Sequence, residues 1–220
     1  MTRTSGGRLA AAIIVGVVAL PLSGCLYAQI PADPPVVEGP TSTPVPSDEP
    51  AEDGIPATMS FADGADLPST AYIQWGDGLM FDDGWKSVAP DDGNGGWTDG
   101  TVDDTCTARF WQGLASDVDM TPGDDEVSSD AVLAQVVGGT TSASVTLLAT
   151  TVQLGYQTGG TPLVDARQLT GTRDGHDWSV TARAFTATGA GVFVIVDCVG
   201  GDVGAVFDEI VEKNAIIITP

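Results

Sequence analysis

Leu163-Val-Asp-Ala-Arg-Gln-Leu-Thr-Gly171 and His176-Asp-Trp-Ser-Val-Thr-Ala-Arg-Ala-Phe185 flank Asp174-Gly175, and Val192-Phe-Val-Ile-Val-Asp-Cys-Val199 follows. Asp-Gly between two β-rich runs marks a two-residue hairpin turn, whose central positions both need positive φ. In the second run Trp178, Val180, Ala182 and Ala184 alternate with Ser179, Thr181 and Arg183. That period of two predicts one buried and one wet face. The third run does not alternate. Val192, Val194, Val196 and Cys198 fall on one side, and Phe193, Ile195 and Val199 on the other. A strand apolar on both sides belongs at the centre of a sheet, with layers above and below it.

Outward from this hairpin, the strongest helix signal lies on the C-terminal side. Asp202 is placed to cap it, and Val203, Val206, Phe207, Ile210 and Val211 recur at helical spacing. Residues 215–219 then return as a short strand. On the N-terminal side, Ser129 reads as the cap of a second helix that ends at Gly138, with Val132, Leu133, Val136 and Val137 as its apolar face. Residues 145–156 read as a strand, with a helical start over Leu147-Leu148-Ala149 left open. Residues 71–75 and 106–111 supply earlier strands. The expected fold class is α+β, a mainly antiparallel sheet with two short helices. No internal repeat of 20 to 50 residues is visible.

The N-terminus has a different character. Residues 2–8 are polar and carry Arg3 and Arg8; residues 9–20 are wholly apolar but for Gly16; Pro21 and Leu22-Ser23-Gly24-Cys25 follow. Twelve residues are too few to span a bilayer, and the order of basic, apolar and small residues is that of a secretory signal. Leu-Ser-Gly-Cys resembles the lipobox of bacterial lipoproteins, and the Ala-, Gly-, Val-, Asp- and Thr-rich, Lys-poor composition resembles that of actinobacterial secreted lipoproteins. The resemblance covers the leader alone. It implies a signal peptide over 1–24, cleavage before Cys25, diacylglyceryl (palmitate-type) lipid on Cys25, and anchoring at the outer face of the cell membrane. Residues 25–57 would be a disordered Pro-rich acidic linker, because eight prolines among Ser, Thr and acids leave no hydrophobic face to bury. Residues 58–220 would be the globular domain.

Formal net charge is −22, and about −24 once Arg3 and Arg8 leave with the signal. Such a field repels nucleic acid and favours basic partners or cations. With Cys25 lipidated, Cys106 and Cys198 remain as a pair for one disulfide in an oxidising compartment; two buried thiols are the alternative.

Chemistry is harder to locate. His176, the one histidine, sits beside Asp174 and Asp177, but at a hairpin tip, where polar residues serve the turn. No G-x-S-x-G elbow accompanies it. Asp197 is unusual as a carboxylate in the apolar strand; it is expected near the strand end, reaching water or an arginine. Residues 76–105 are dense in Asp, Gly and Trp. This stretch reads as a tightly turning meander, or as a binding surface built from Trp85, Trp97, Asp82, Asp83, Asp91, Asp92 and Asp99, with the aspartates facing outward. Calcium is a third option because Asp, Asn and loop carbonyls supply its oxygens. The EF-hand spacing fails, however: counted from Asp92, position 6 is Trp97 rather than Gly. The function expected is a non-catalytic binding module of the cell envelope, with no cofactor, held by its lipid and facing a basic protein or wall component. The alternatives are a carboxylate-based hydrolase of wall glycans and a calcium-dependent structural protein.

Overall fold

The computed structural model describes residues 55–157 and 161–220, with the side chains of residues 161 and 162 left aside. The leader, Cys25 and the linker up to residue 54 lie outside the described residues. One sheet holds β1 (Tyr72–Trp75), β2 (Trp85–Ala89), β3 (Gly96–Thr101), β4 (Cys106–Leu114), β5 (Thr150–Tyr156), β6 (Thr161–Arg173), β7 (His176–Phe185), β8 (Ala190–Cys198) and β9 (Ile216–Thr219). The spatial order is β1-β9-β5-β6-β7-β8-β4-β3-β2, antiparallel throughout except for one parallel pair between β5 and β9. The helices are α1 (Phe61–Ala65), α2 (Asp125–Val137), α3 (Ser142–Thr146) and α4 (Val203–Lys213). The α+β class therefore holds. The two longer helices are those expected, and α1 and α3 add single turns.

The sheet curls until its first edge strand reaches β4. The Trp75 amide donates to the side-chain carbonyl of Gln112 at 2.7 Å, and its indole N–H donates to the Trp111 carbonyl at 3.1 Å. The opposite edge, β2, carries the exposed Lys86, a register break between Ser87 and Ala89, and Pro90 directly after it. One face of the sheet packs Val192, Val194, Val196 and Phe110 against Val206 and Ile210 of α4. The other packs Val180, Ala182 and Ala184 against Val132 and Leu133 of α2 and Val145 of α3. β8 is thus the central, doubly covered strand that its pattern called for. Asp202 caps α4 through the amides of Gly204 and Ala205.

Cys106 and Cys198 stand directly opposite each other on β4 and β8 and are joined by a disulfide. This tie links strands 92 residues apart in sequence.

Four expectations change. Ser179, Thr181 and Arg183 do not form a wet face; all three are buried. Arg183 is fully buried because its charge is met from several sides. Its Nη2 donates to Asp125 Oδ2 and to the Ser60 carbonyl, both at 2.9 Å, and its Nη1 donates to the Asp165 carbonyl at 3.0 Å. The rings of Phe61 and Phe185 lie 4.6 and 4.8 Å from its guanidinium carbon. Burial pushes its pKa down to about 10, against the opposing pull of Asp125.

Second, α2 starts four residues before Ser129, capped by Asp124 through the Val127 amide. Ser129 lies inside it, donating to the Asp125 carbonyl at 2.6 Å and accepting from the Ala184 amide at 2.9 Å. Third, residues 145–156 divide between the end of α3 and β5; Leu147-Leu148-Ala149, where a helical start is left open, form the turn between them. Fourth, Ile55, placed in the linker by its prolines, is buried in the core, and the Pro56 carbonyl accepts from the Tyr156 hydroxyl at 2.9 Å. A single apolar residue among prolines has no period to reveal that it docks.

Candidate functional site

The Asp- and Trp-rich stretch is ordered: a 3-10 turn over Gly78–Phe81, then the β2–β3 hairpin. Its tryptophans face inward. Trp85 is buried, and Trp97 stacks on Phe110 with ring centroids 5.2 Å apart. Three of its candidate aspartates are committed to local structure. Asp82 accepts from Lys213 Nζ at 2.5 Å and from the Gly84 amide, and the lysine holds its carboxyl below the usual range. Asp91 closes a turn onto the Gly93 amide. Asp92 accepts from the amides of Asn94 and Gly96, which lowers its pKa. Asp83 is exposed.

Asp99 does not face outward. It is 4 % exposed, on the inward side of β3 with Trp97, and desolvation raises its pKa against a hydrogen bond from Trp97. Among the described residues no group of three or more His, Cys, Asp or Glu is arranged to hold a metal ion. The five aspartates and two tryptophans therefore do not converge on one surface.

Convergence occurs elsewhere, at the tip of the hairpin. Asp174 and Gly175 take φ of 55° and 82°, the two positive values a type I′ turn requires. That turn fixes the register, so His176, Trp178 and Val180 point to the α2 face of the sheet. α2 covers Val180 to Ala184 and stops at Gly138, where φ is 70°. Trp178 and His176 lie beyond its end. From β8, the alternation that sends Cys198 to the α4 side sends Asp197 to this one. His176 Nδ1 and Asp197 Oδ1 meet at 2.6 Å as diagonal cross-strand neighbours.

These groups line a cavity of about 540 Å³, with Val137, Val180 and Ile195 as apolar wall and Arg173 and Asp174 at the mouth. Its floor is Trp178. A Cβ on Gly171 would lie 2.5 Å from Cζ2 of that indole, so the ring occupies the space a side chain there would fill, and both residues line the cavity. The His176 and Asp197 side chains are 47 % and 44 % exposed, and Asp174 is 90 % exposed. The one hydroxyl of the lining, on Thr172, donates instead to Asp177 at 2.6 Å on the opposite face of the hairpin. The geometry supplies an aromatic floor and a rim of donors and acceptors, without a nucleophile set against the imidazole.

His176 does serve a tight turn, as its sequence position implies. Its carboxylate partner is Asp197, across the sheet, rather than Asp174 or Asp177. The signal was present in the sequence: the two-residue turn and the period of two put His176 and Trp178 on one side, and Asp197 stood out in β8. Only the pairing of β7 with β8 brings the two together. No family model, no curated protein and no solved structure matches the chain.

Proposed function

We propose that the chain is a lipid-anchored, extracytoplasmic binding module of the cell envelope, acting without catalysis of its own. The anchoring half rests on the lipobox-like Leu22-Ser-Gly-Cys25. The binding half rests on one observation: the cavity beyond α2 is aromatic at its floor and polar only at a solvated rim. Ligand sites commonly combine an apolar interior with a few converging polar groups.

The hydrolase alternative draws on Asp174 and Asp197, two carboxylates lining one cavity. A glycosidase acid needs a raised pKa, and burial is the usual means. Asp174 is almost fully solvated, and Asp197 is engaged by His176. Asp99, whose carboxyl burial pushes up, lies on β3 outside this cavity. Binding is the better reading.

Membrane fractionation with a palmitate analogue tests the anchor. The wild-type chain should label and sediment with membranes, whereas Cys25→Ala should do neither, since stable anchoring needs more than one acyl chain. Labelling of Cys25→Ala, or its retention at wild-type levels, refutes the anchoring. In crosslinked envelopes the wild-type chain should recover a wall component or a basic protein.

A further inference from the structure

We infer that the cavity at the hairpin tip is a saccharide platform: Trp178 stacks on a neutral sugar ring while His176, Asp197 and Arg173 hydrogen-bond its hydroxyls. This rests on the binding-module reading above and names its ligand class.

The argument begins with the floor. Because Gly171 has no side chain, the indole packs over the strand there and lines the cavity. A flat aromatic face suits a flat partner whose own face is C–H, as that of a pyranose is. The rim decides among such partners. Arg173 donates only, Asp174 and Asp197 accept only, and His176 can do either with its ring nitrogens. Hydroxyls donate and accept together, so a ring edged with hydroxyls satisfies all four.

Charge excludes the competitors. A cation over Trp178 would face the guanidinium of Arg173. An anion would meet two carboxylates inside the field of a chain with net charge −22. A volume near 540 Å³ lies within the range of small-ligand sites. A neutral, polyhydroxylated ring is what remains, and for an envelope module its source is the glycan of the wall.

The experiment is calorimetric titration of the full-length chain, in detergent, with N-acetylglucosamine oligomers. The wild-type chain should bind them. Trp178→Phe should retain most of the affinity, and Trp178→Ala should lose about tenfold or more, as removal of a central aromatic anchor does. Asp197→Asn should weaken binding less. Trp178→Phe, which keeps a ring over Gly171, guards against a variant that merely fails to fold. Wild-type indifference to the oligomers, or equal affinity in folded Trp178→Ala, overturns the platform. So does a sugar-free wall peptide that binds in their place. If the wild-type chain still labels through Cys25 and crosslinks to an envelope partner while ignoring the oligomers, the platform falls and the module reading stands.

Discussion

Asp99 carries a penalty that grows with pH. Its carboxyl is buried beside Trp97, and desolvation lifts its folded-state pKa above the value in the unfolded chain. A carboxyl shifted upward leaves stability intact at pH below the unfolded value and removes it as pH rises through the folded value. Asp99→Asn removes the charge and keeps the shape. It should therefore match the wild type in urea unfolding near pH 3 and exceed it by on the order of 1 kcal/mol at pH 7. A difference that does not vary with pH would contradict this. The same residue shows where reading a sequence stops. Nothing in Gly-Trp-Thr-Asp-Gly-Thr distinguishes the turn-closing Asp92 from the core-facing Asp99. Strand β3 decides it, by placing Trp97 and Asp99 on one side. Arg183 misleads in the same way: alternation with alanines suggests a wet face, and only the arrival of Asp125, Ser60 and Phe61 from distant segments makes burial tolerable.

At the scale of elements, the two longer helices differ in how plainly they announce themselves. α4 presents a clean apolar stripe and is readable from its residues alone. α2 buries Asp125, Ser128, Ser129 and Asp130 along with Val132 and Leu133, so its inner face is half polar and its first turn resembles a loop. Those polar groups have partners outside the helix. Asp125 takes Arg183 and the Thr186 amide, and Asp130 takes Arg167 Nε at 2.8 Å. The Arg183–Asp125 pair thus seats α2 on β7, and Gly64 of α1 packs directly over it: a Cβ there would lie 2.1 Å from Nη2. Breaking a buried pair leaves an uncompensated charge. Asp125→Ala should destabilise by about 3–5 kcal/mol, and Arg183→Met should relieve part of that loss in the double variant. Denaturant unfolding of the two single variants and the double variant measures the coupling; strictly additive effects would show that the pair does not act as one.

At the scale of the molecule, the Cys106–Cys198 bond joins the β2–β3–β4 half of the sheet to the central strand. Closing 92 residues of chain restricts the unfolded ensemble by roughly 4–5 kcal/mol, an upper figure. Reduction, or the Cys106→Ala/Cys198→Ala pair, should lower Tm by up to roughly 15 °C in a thermal melt. A melt unchanged by reductant would argue against that contribution. The pairing was readable by counting cysteines once the lipobox-like resemblance set Cys25 aside. The cavity was not, because its parts come from β6, β7, β8 and α2 and meet only when the sheet order is known.

The two borders of that sheet bear on how copies of the chain meet one another. An open strand border invites a neighbouring backbone to continue the hydrogen-bond ladder, which is how fibres start. Here β1 is folded back, with the Trp75 amide occupied by Gln112. β2 carries a bulge, an exposed Lys86 and a closing Pro90, each a recognised obstacle to ladder growth. Among the described residues, crowded copies would therefore find neither border of the sheet open to ladder growth.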